Sequence, residues 1–267
     1  MQKEPVRFEV TKTTLTVTNR LSTAAMLALT SNNIKQALAG PRPGLRGQQI
    51  MAPDFRPLDP SSYEIGSKTC RRAAVLLLVY PIDGHLYTVL TERRHDLAAH
   101  PGQISMPGGS RDGDETVAQT AIREAHEEIG VDPDAVEALG RLTHIYIPPS
   151  HFCIQIVVGY TAERPHWRAN PDEIETLIEV PLSLLFDPDF RHIITVERDG
   201  KSWPVRYFAI NDHKVWGATA MALGEFVTML EDAFPDKTRP PFSHPPIYEC
   251  VVRDEAAREG QPDRQPS

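Results

Sequence analysis

The stretch GSRDGDETVAQTAIREAHEEIGV, from Gly109 to Val131, changes character at Thr116. Before it stand Gly, Asp and Ser; after it the apolar residues recur at helical spacing. With one residue every 100°, Val117, Ala118, Ala121, Ile122, Ala125 and Ile129 fall within an arc of roughly 140°. That arc predicts a helix over Thr116 to Ile129 with one face on a core. Glu124, Glu127 and Glu128 form an adjoining stripe about 100° wide, because positions three and four apart are neighbours. Glu128 falls inside the apolar arc, near its edge. Three carboxylates crowded beside a core repel one another, and partial burial raises the cost. A divalent cation removes that cost, and oxygen-only ligands suit magnesium or manganese rather than zinc. Arg123 precedes the stripe and can clamp one or two of its members. Gly130 stands where a left-handed residue ends a helix. Gly108 and Gly109 allow a backbone to come close to a ligand. Glu115 lies near the helix start, where negative charge is favoured. Metal-bridged phosphates opposite such a stripe make a phosphoryl-transfer or hydrolysis site.

Outward from the helix the sequence alternates strand and turn signals. Ala73 to Tyr80 is a continuous apolar run between Arg72 and Pro81 and predicts a buried strand. Asp83-Gly84 is a turn signal and Leu86 to Thr91 a second strand, which makes a hairpin. Gln103 to Met106 reads as a short strand, Phe152 to Thr161 as a long one, and Ile178 to Leu182 and Tyr207 to Ile210 as weaker ones. Leu223, Phe226, Val227, Leu230 and Phe234 predict a closing amphipathic helix after Gly217. Strands mixed with helices give an α/β layered fold. Residues 1–66 read as an N-terminal extension, with helix expected within Ser22 to Leu38 and a linker over Gly40 to Gly47. Residues 67–234 form the expected domain. From 235 a Pro-rich C-terminal tail follows, extended in its last dozen residues.

The chain has 267 residues with 28 Lys and Arg against 36 Asp and Glu, a net charge of −8. That balance argues against a bulk basic surface for nucleic acid and leaves a local basic patch open. No apolar run reaches the ~18 residues of a membrane helix, and no apolar segment follows the first residues, so neither a membrane span nor a secretory signal is expected. The three cysteines, Cys70, Cys153 and Cys250, are far apart. They read as reduced, structural thiols of a cytoplasmic protein.

The stretch from Gly109 to Val131 resembles the Nudix box, G-x(5)-E-x(7)-R-E-U-x-E-E-x-G-U with U a bulky apolar residue. Gly109, Glu115, Arg123, Glu124, Glu127, Glu128, Gly130 and Val131 fit; Ala125 is small where U is usually larger. The resemblance implies an α/β/α sandwich with a mixed sheet. It also implies magnesium- or manganese-dependent hydrolysis of a nucleoside diphosphate linked to another moiety. Leu90-Thr-Glu-Arg-Arg94, Leu97, and the run from His100 to Gly109 are similar to a further motif of the coenzyme A pyrophosphatase branch. Asn170 to Ile174, Glu179 to Ser183, and Val215 to Thr219 are also similar to that branch. Arg94 stands where the branch has Ser, Ala98 where it has Arg, and Met106 where it has Phe. These departures keep ADP-ribose, a dinucleotide or another nucleoside diphosphate derivative open as substrates; a sensor that has lost catalysis is the non-enzymatic alternative.

The resemblance implies roles for individual residues. Glu124, Glu127 and Glu128 are the metal ligands. Arg123 orients them, and Glu124 or the loop residue Glu173 takes the proton from water. Arg93, Arg94, His100, Gly108 and Gly109 are the substrate contacts. Glu115 and Gly130 are structural. His126 is expected in solvent, Trp216 in the core, and His144, Tyr146 and His151 in a loop over the site. A small nucleotide substrate is the expected partner, with no nucleic acid or membrane, and with a homodimer suggested by the long extension.

Overall fold

A computed structural model describes residues 10–13, 27–56, 70–97, 102–198 and 200–252. In chain order the elements are β1 (Val10–Thr13), α1 (Ser31–Ala39), α2 (Leu45–Gln49), β2 (Arg71–Ile82), β3 (His85–Arg93), β4 (Ile104–Ser105), β5 (Gly108–Ser110) and α3 (Val117–Ile129). There follow β6 (Glu137–Arg141), β7 (Ile145–Ile147), β8 (Phe152–Tyr160), β9 (Ile174–Pro181), α4 (Leu182–Phe186), β10 (Arg191–Arg198), β11 (Lys201–Ile210), β12 (His213–Val215), α5 (Gly217–Ala233) and β13 (Ile247–Val251).

The apolar run around Leu76 becomes β2, in the middle of the large sheet, whose order is β1-β13-β9-β3-β2-β8-β6. The short strands β4, β5 and β7 pair with β3, β2 and β8. Pairing of β2 with β8 is parallel and the other ladders are antiparallel, so the sheet is mixed. The run is continuous because both its faces are covered. Leu77 and Val79 meet α1, α4 and α5; Leu76, Leu78 and Tyr80 meet α3. Helices on both faces make three layers, α/β/α. Asp83 and Gly84 both have positive φ, 49° and 80°, the geometry of a two-residue hairpin turn. A separate three-stranded sheet, β10-β11-β12, packs its Phe208, Ile210 and Val215 into the core on the α5 side.

Several expectations change. The segment Gly40 to Gly47 is no plain linker: it enters α2, which crosses α5 closely. A Cβ on Gly47 would lie 2.8 Å from Glu225 Cα, and one on Gly224 would lie 2.9 Å from the Gly47 carbonyl. Within the extension, Leu27, Leu29, Ile34, Ala37, Leu38 and Met51 are buried in the domain's own core. The closing helix is buried all round, from Thr219 to Leu230, since the sheet, α1 and α2 enclose it. Residues beyond 235 contribute β13, inserted between β1 and β9. Residues 253–267, where an extended end was expected, lie outside the described residues.

Cys70 and Cys153 are joined by a disulfide, which corrects their reading as free thiols. Their separation of 83 residues carries no local signal. Parallel pairing of β2 with β8 places Cys70, one residue before β2, beside the start of β8. Cys250 is a buried free thiol. Trp216 is 41% exposed instead of packed in the core.

Candidate active site

Local chemistry fixes the helix that carries the carboxylates. Thr116 caps α3 through a reciprocal capping box with Gln119. Gly130 closes it in the left-handed conformation, φ 73°, and its N–H donates to the His126 carbonyl at 2.9 Å. His126 itself is exposed, with a ring nitrogen 2.9 Å from the Val131 carbonyl oxygen.

Glu128 is 6% exposed and accepts the Gly108 N–H at 3.1 Å. Burial pushes its carboxyl up to about 8, even though the Gly108 N–H opposes the shift. Glu124 lies on the neighbouring backbone of Gly109, and burial raises its carboxyl as well. Glu127 is the outermost of the three, with its side chain more than half exposed.

Arg123 is held at every turn. Its Nε donates to Glu115 Oε1 at 2.7 Å and its Nη2 to the Ser110 carbonyl at 3.1 Å. Its Nη1 stands 3.0 Å from both Glu124 Oε1 and Glu127 Oε2. Glu115 also accepts from the Asp112 N–H and the Thr120 hydroxyl. Arg123 holds the Glu115 carboxyl down to about 2. Glu115 and Arg123 therefore tie the start of α3 to its carboxylate stripe.

The loop before β9 closes over the end of α3. The Asn170 N–H donates to the Glu128 carbonyl at 2.8 Å, and the Arg94 N–H to the Glu173 carbonyl at 3.0 Å. These two bonds bring the side chain of Glu173 to the carboxylates. Arg93 lies between: its Nη1 is 3.9 Å from Glu128 Oε1 and 3.9 Å from Glu173 Oε2. Arg94 points elsewhere, donating to both carboxylate oxygens of Asp96 and to the Pro171 carbonyl. It is a brace for the loop. His100 lies outside the described residues.

Structure thus gathers Arg93, Gly108, Gly109, Glu115, Arg123, Glu124, Glu127, Glu128, Gly130 and Glu173. Among the described residues no three His, Cys, Asp or Glu side chains converge as a ready-made metal ligand set, and two arginines sit on the carboxylates instead. Tyr146 belongs to β7, and its hydroxyl lies 3.1 Å from His151 Nδ1. β7 sits at the same end of the sheet as β5, since Ala73 is paired with both Ser110 and Ile154. Asn170 is the residue whose role spacing did not reveal. Its Asn-Pro-Asp context signals a turn, but not that the turn is tied to α3.

The chain matches the family described as NUDIX domain over residues 70–195. It is 34% identical over 169 residues to a protein of Pectobacterium atrosepticum described as "Uncharacterized Nudix hydrolase NudL"; the alignment covers 61% of this chain and 84% of that one. A protein of the same description from Salmonella paratyphi B is 36% identical over 167 residues, covering 60% and 83%. A solved Nudix hydrolase from M. smegmatis, RenU, is 20% identical, with TM-score 0.40 over 62% of this chain and 88% of that one. No helix among the described residues is long and apolar enough to cross a membrane. The carboxylate helix between its glycine turns and the extent of the two alignments with the NudL relatives agree: this chain belongs to the Nudix hydrolases, enzymes that act on nucleoside diphosphate derivatives.

Proposed function

We propose that the chain hydrolyses the diphosphate of coenzyme A or of a short acyl-CoA, giving 3′,5′-ADP and 4′-phosphopantetheine. One observation carries this. Arg93 belongs to the flanking segment that resembles the coenzyme A branch, and its guanidinium stands 3.9 Å from Glu128. A residue outside the Nudix box that stands beside the carboxylates supports a reading in which the flanking segment meets the diphosphate.

Nudix hydrolases generally use divalent metal ions. The donors here fit a hard cation: they are carboxylate oxygens only, and Gly109 lacks the Cβ that would displace Glu124. Glu124, Glu127 and Glu128 would hold Mg²⁺ or Mn²⁺, which would supply countercharge to the diphosphate and acidity to a water. Arg123, fixed on Glu115, keeps Glu124 and Glu127 in register. Glu173 or Glu124 takes the proton of the water. Arg93 and the Gly108–Gly109 backbone receive the phosphates, with His100 completing the contacts and Arg94 bracing the loop through Asp96 and Pro171. A cytoplasmic homodimer completes the proposal, checked by mass in solution.

A panel of coenzyme A, dephospho-coenzyme A, ADP-ribose and a dinucleotide, with products read by mass spectrometry, tests the assignment. Coenzyme A is expected to give the highest kcat/KM, with 3′,5′-ADP as product. Dephospho-coenzyme A is expected to be poorer, because a cation meant for the 3′-phosphate is left unpaired. ADP-ribose or a dinucleotide cut roughly tenfold better than coenzyme A would overturn it.

A further inference from the structure

Three arginines lie in or beside the site, and they are held very differently. Arg123 makes short bonds to Glu115, Glu127 and Ser110. Arg94 is locked on Asp96 and Pro171. Among the described residues the Arg93 side chain makes no hydrogen bond; it has two ion pairs, both at 3.9 Å. At that distance the guanidinium neutralises its partners without engaging them as a bidentate fork.

The backbone beneath Arg93 is, by contrast, firmly held. Its N–H donates to the Gln103 carbonyl at 3.0 Å, and its carbonyl accepts the Gly102 N–H at 3.1 Å. Pairing of β3 with β9 shifts register between Glu92 and Arg93, so that Arg93 lies opposite Ile174. The unmatched residue, Glu175, lies on β9 and leaves the alternation along β3 unbroken. Tyr87 and Val89, on the same face of β3 as Arg93, lie in the core with α3, so alternation aims Arg93 at that helix, while the preceding Glu92 pairs with His95. A fixed base with a loosely held, charged tip is built to move.

The two carboxylates it faces, on α3 and on the loop before β9, come from different elements and repel each other when both are ionised. A metal ion between them would supply the same countercharge more strongly, and would repel the guanidinium. We propose that Arg93 is an exchangeable countercharge. In the metal-free chain it spans Glu128 and Glu173; on metal binding it is displaced from them and becomes available to a phosphate of the substrate. This rests on the assignment of Glu128 as a metal ligand in the proposed function, and adds that metal and arginine compete for the same oxygens.

The test uses Mn²⁺ alone, titrated into the full chain without substrate and followed by electron paramagnetic resonance at constant ionic strength. Arg93→Gln is expected to bind Mn²⁺ roughly tenfold more tightly than wild type, the size of removing one repulsive charge beside a divalent ion in partly wet protein. Its KM for the diphosphate substrate is expected to rise. Arg93→Lys keeps the charge and should bind Mn²⁺ within roughly threefold of wild type. Mn²⁺ affinity in Arg93→Gln equal to or weaker than wild type overturns the exchange; so does equally tight binding in Arg93→Lys, which would assign the effect to size. Glu128→Gln separates the two levels. If that variant binds Mn²⁺ like wild type, the ligand assignment itself has failed, whatever Arg93 does.

Discussion

Gly109 and Glu124 are in contact through an absence: a Cβ on Gly109 would lie 2.6 Å from Cδ of Glu124. The atom it would strike is the end of a flexible side chain, so the fold can yield by moving the carboxylate. Gly109→Ala should therefore keep its melting temperature and lose turnover, by roughly a hundredfold if Glu124 shifts by about an ångström. Gly108 differs. A Cβ there would meet Val75 Cα at 2.5 Å, in the middle of the sheet, and backbone cannot step aside. Gly108→Ala should lose stability first, by about 1–3 kcal/mol. Thermal melts beside kcat separate the two, and full activity in Gly109→Ala would remove Glu124 from the site.

Glu127→Gln and Glu128→Gln should each lower turnover by roughly a hundredfold or more while circular dichroism stays native. For Glu128 the pH dependence adds a sign. Burial raises its folded pKa to about 8, above that of the unfolded chain. Its contribution to stability is complete at low pH, where it is protonated in both states, and is lost as pH rises toward 8. In chelator, Glu128→Gln should thus become the more stable protein as pH climbs through that window, while remaining inactive. Parallel stability curves for the two proteins would contradict the burial argument.

A second buried acid lies away from the site. Glu225 on α5 is fully buried; it accepts the Thr143 N–H at 3.0 Å and the Gln48 amide at 2.8 Å, while Gln48 Oε1 has no partner among the described residues. Burial raises its pKa, so its stability contribution also falls as pH rises above the ordinary carboxylate range. Glu225→Gln should gain stability relative to wild type as pH rises above the ordinary carboxylate range. Chemical denaturation at several pH values measures it; a constant difference would exclude the mechanism.

The disulfide is open to direct chemistry. Under denaturing conditions a thiol reagent should label one cysteine, Cys250, before reduction and all three after it. Cys153→Ser should cost about 2–4 kcal/mol, since the bond closes a loop of 83 residues in the unfolded chain. Three labels without reduction would show the thiols free.

Much of the site was legible because its signals are local. Helical spacing alone placed the glutamates on one stripe, put Glu128 at the apolar edge, and marked Gly130 as the end of α3. Capping chemistry and hairpin turns work over a few residues, and β2 betrayed its double burial by its unbroken apolar run. The closing helix misled, because Leu223, Phe226, Val227 and Leu230 describe one buried face and give no sign that α2 covers the other. Gly47 looked like linker material for the same reason: its missing Cβ is used by Glu225, a partner 178 residues away.

What the sequence by itself determined was the chemistry available: a carboxylate helix between two glycine turns, on an α/β frame. Only the tertiary structure decided which charges meet. Glu173 comes near Glu128 because Asn170 ties its loop to the end of α3, and Arg93 stands between them because β3 carries it on the face that α3 covers. Cys70 finds Cys153 because two strands far apart in the chain run parallel. Periodicity and capping act through the covalent chain and show in the sequence. Pairing across the sheet is set by the whole core closing at once, and shows only in the fold.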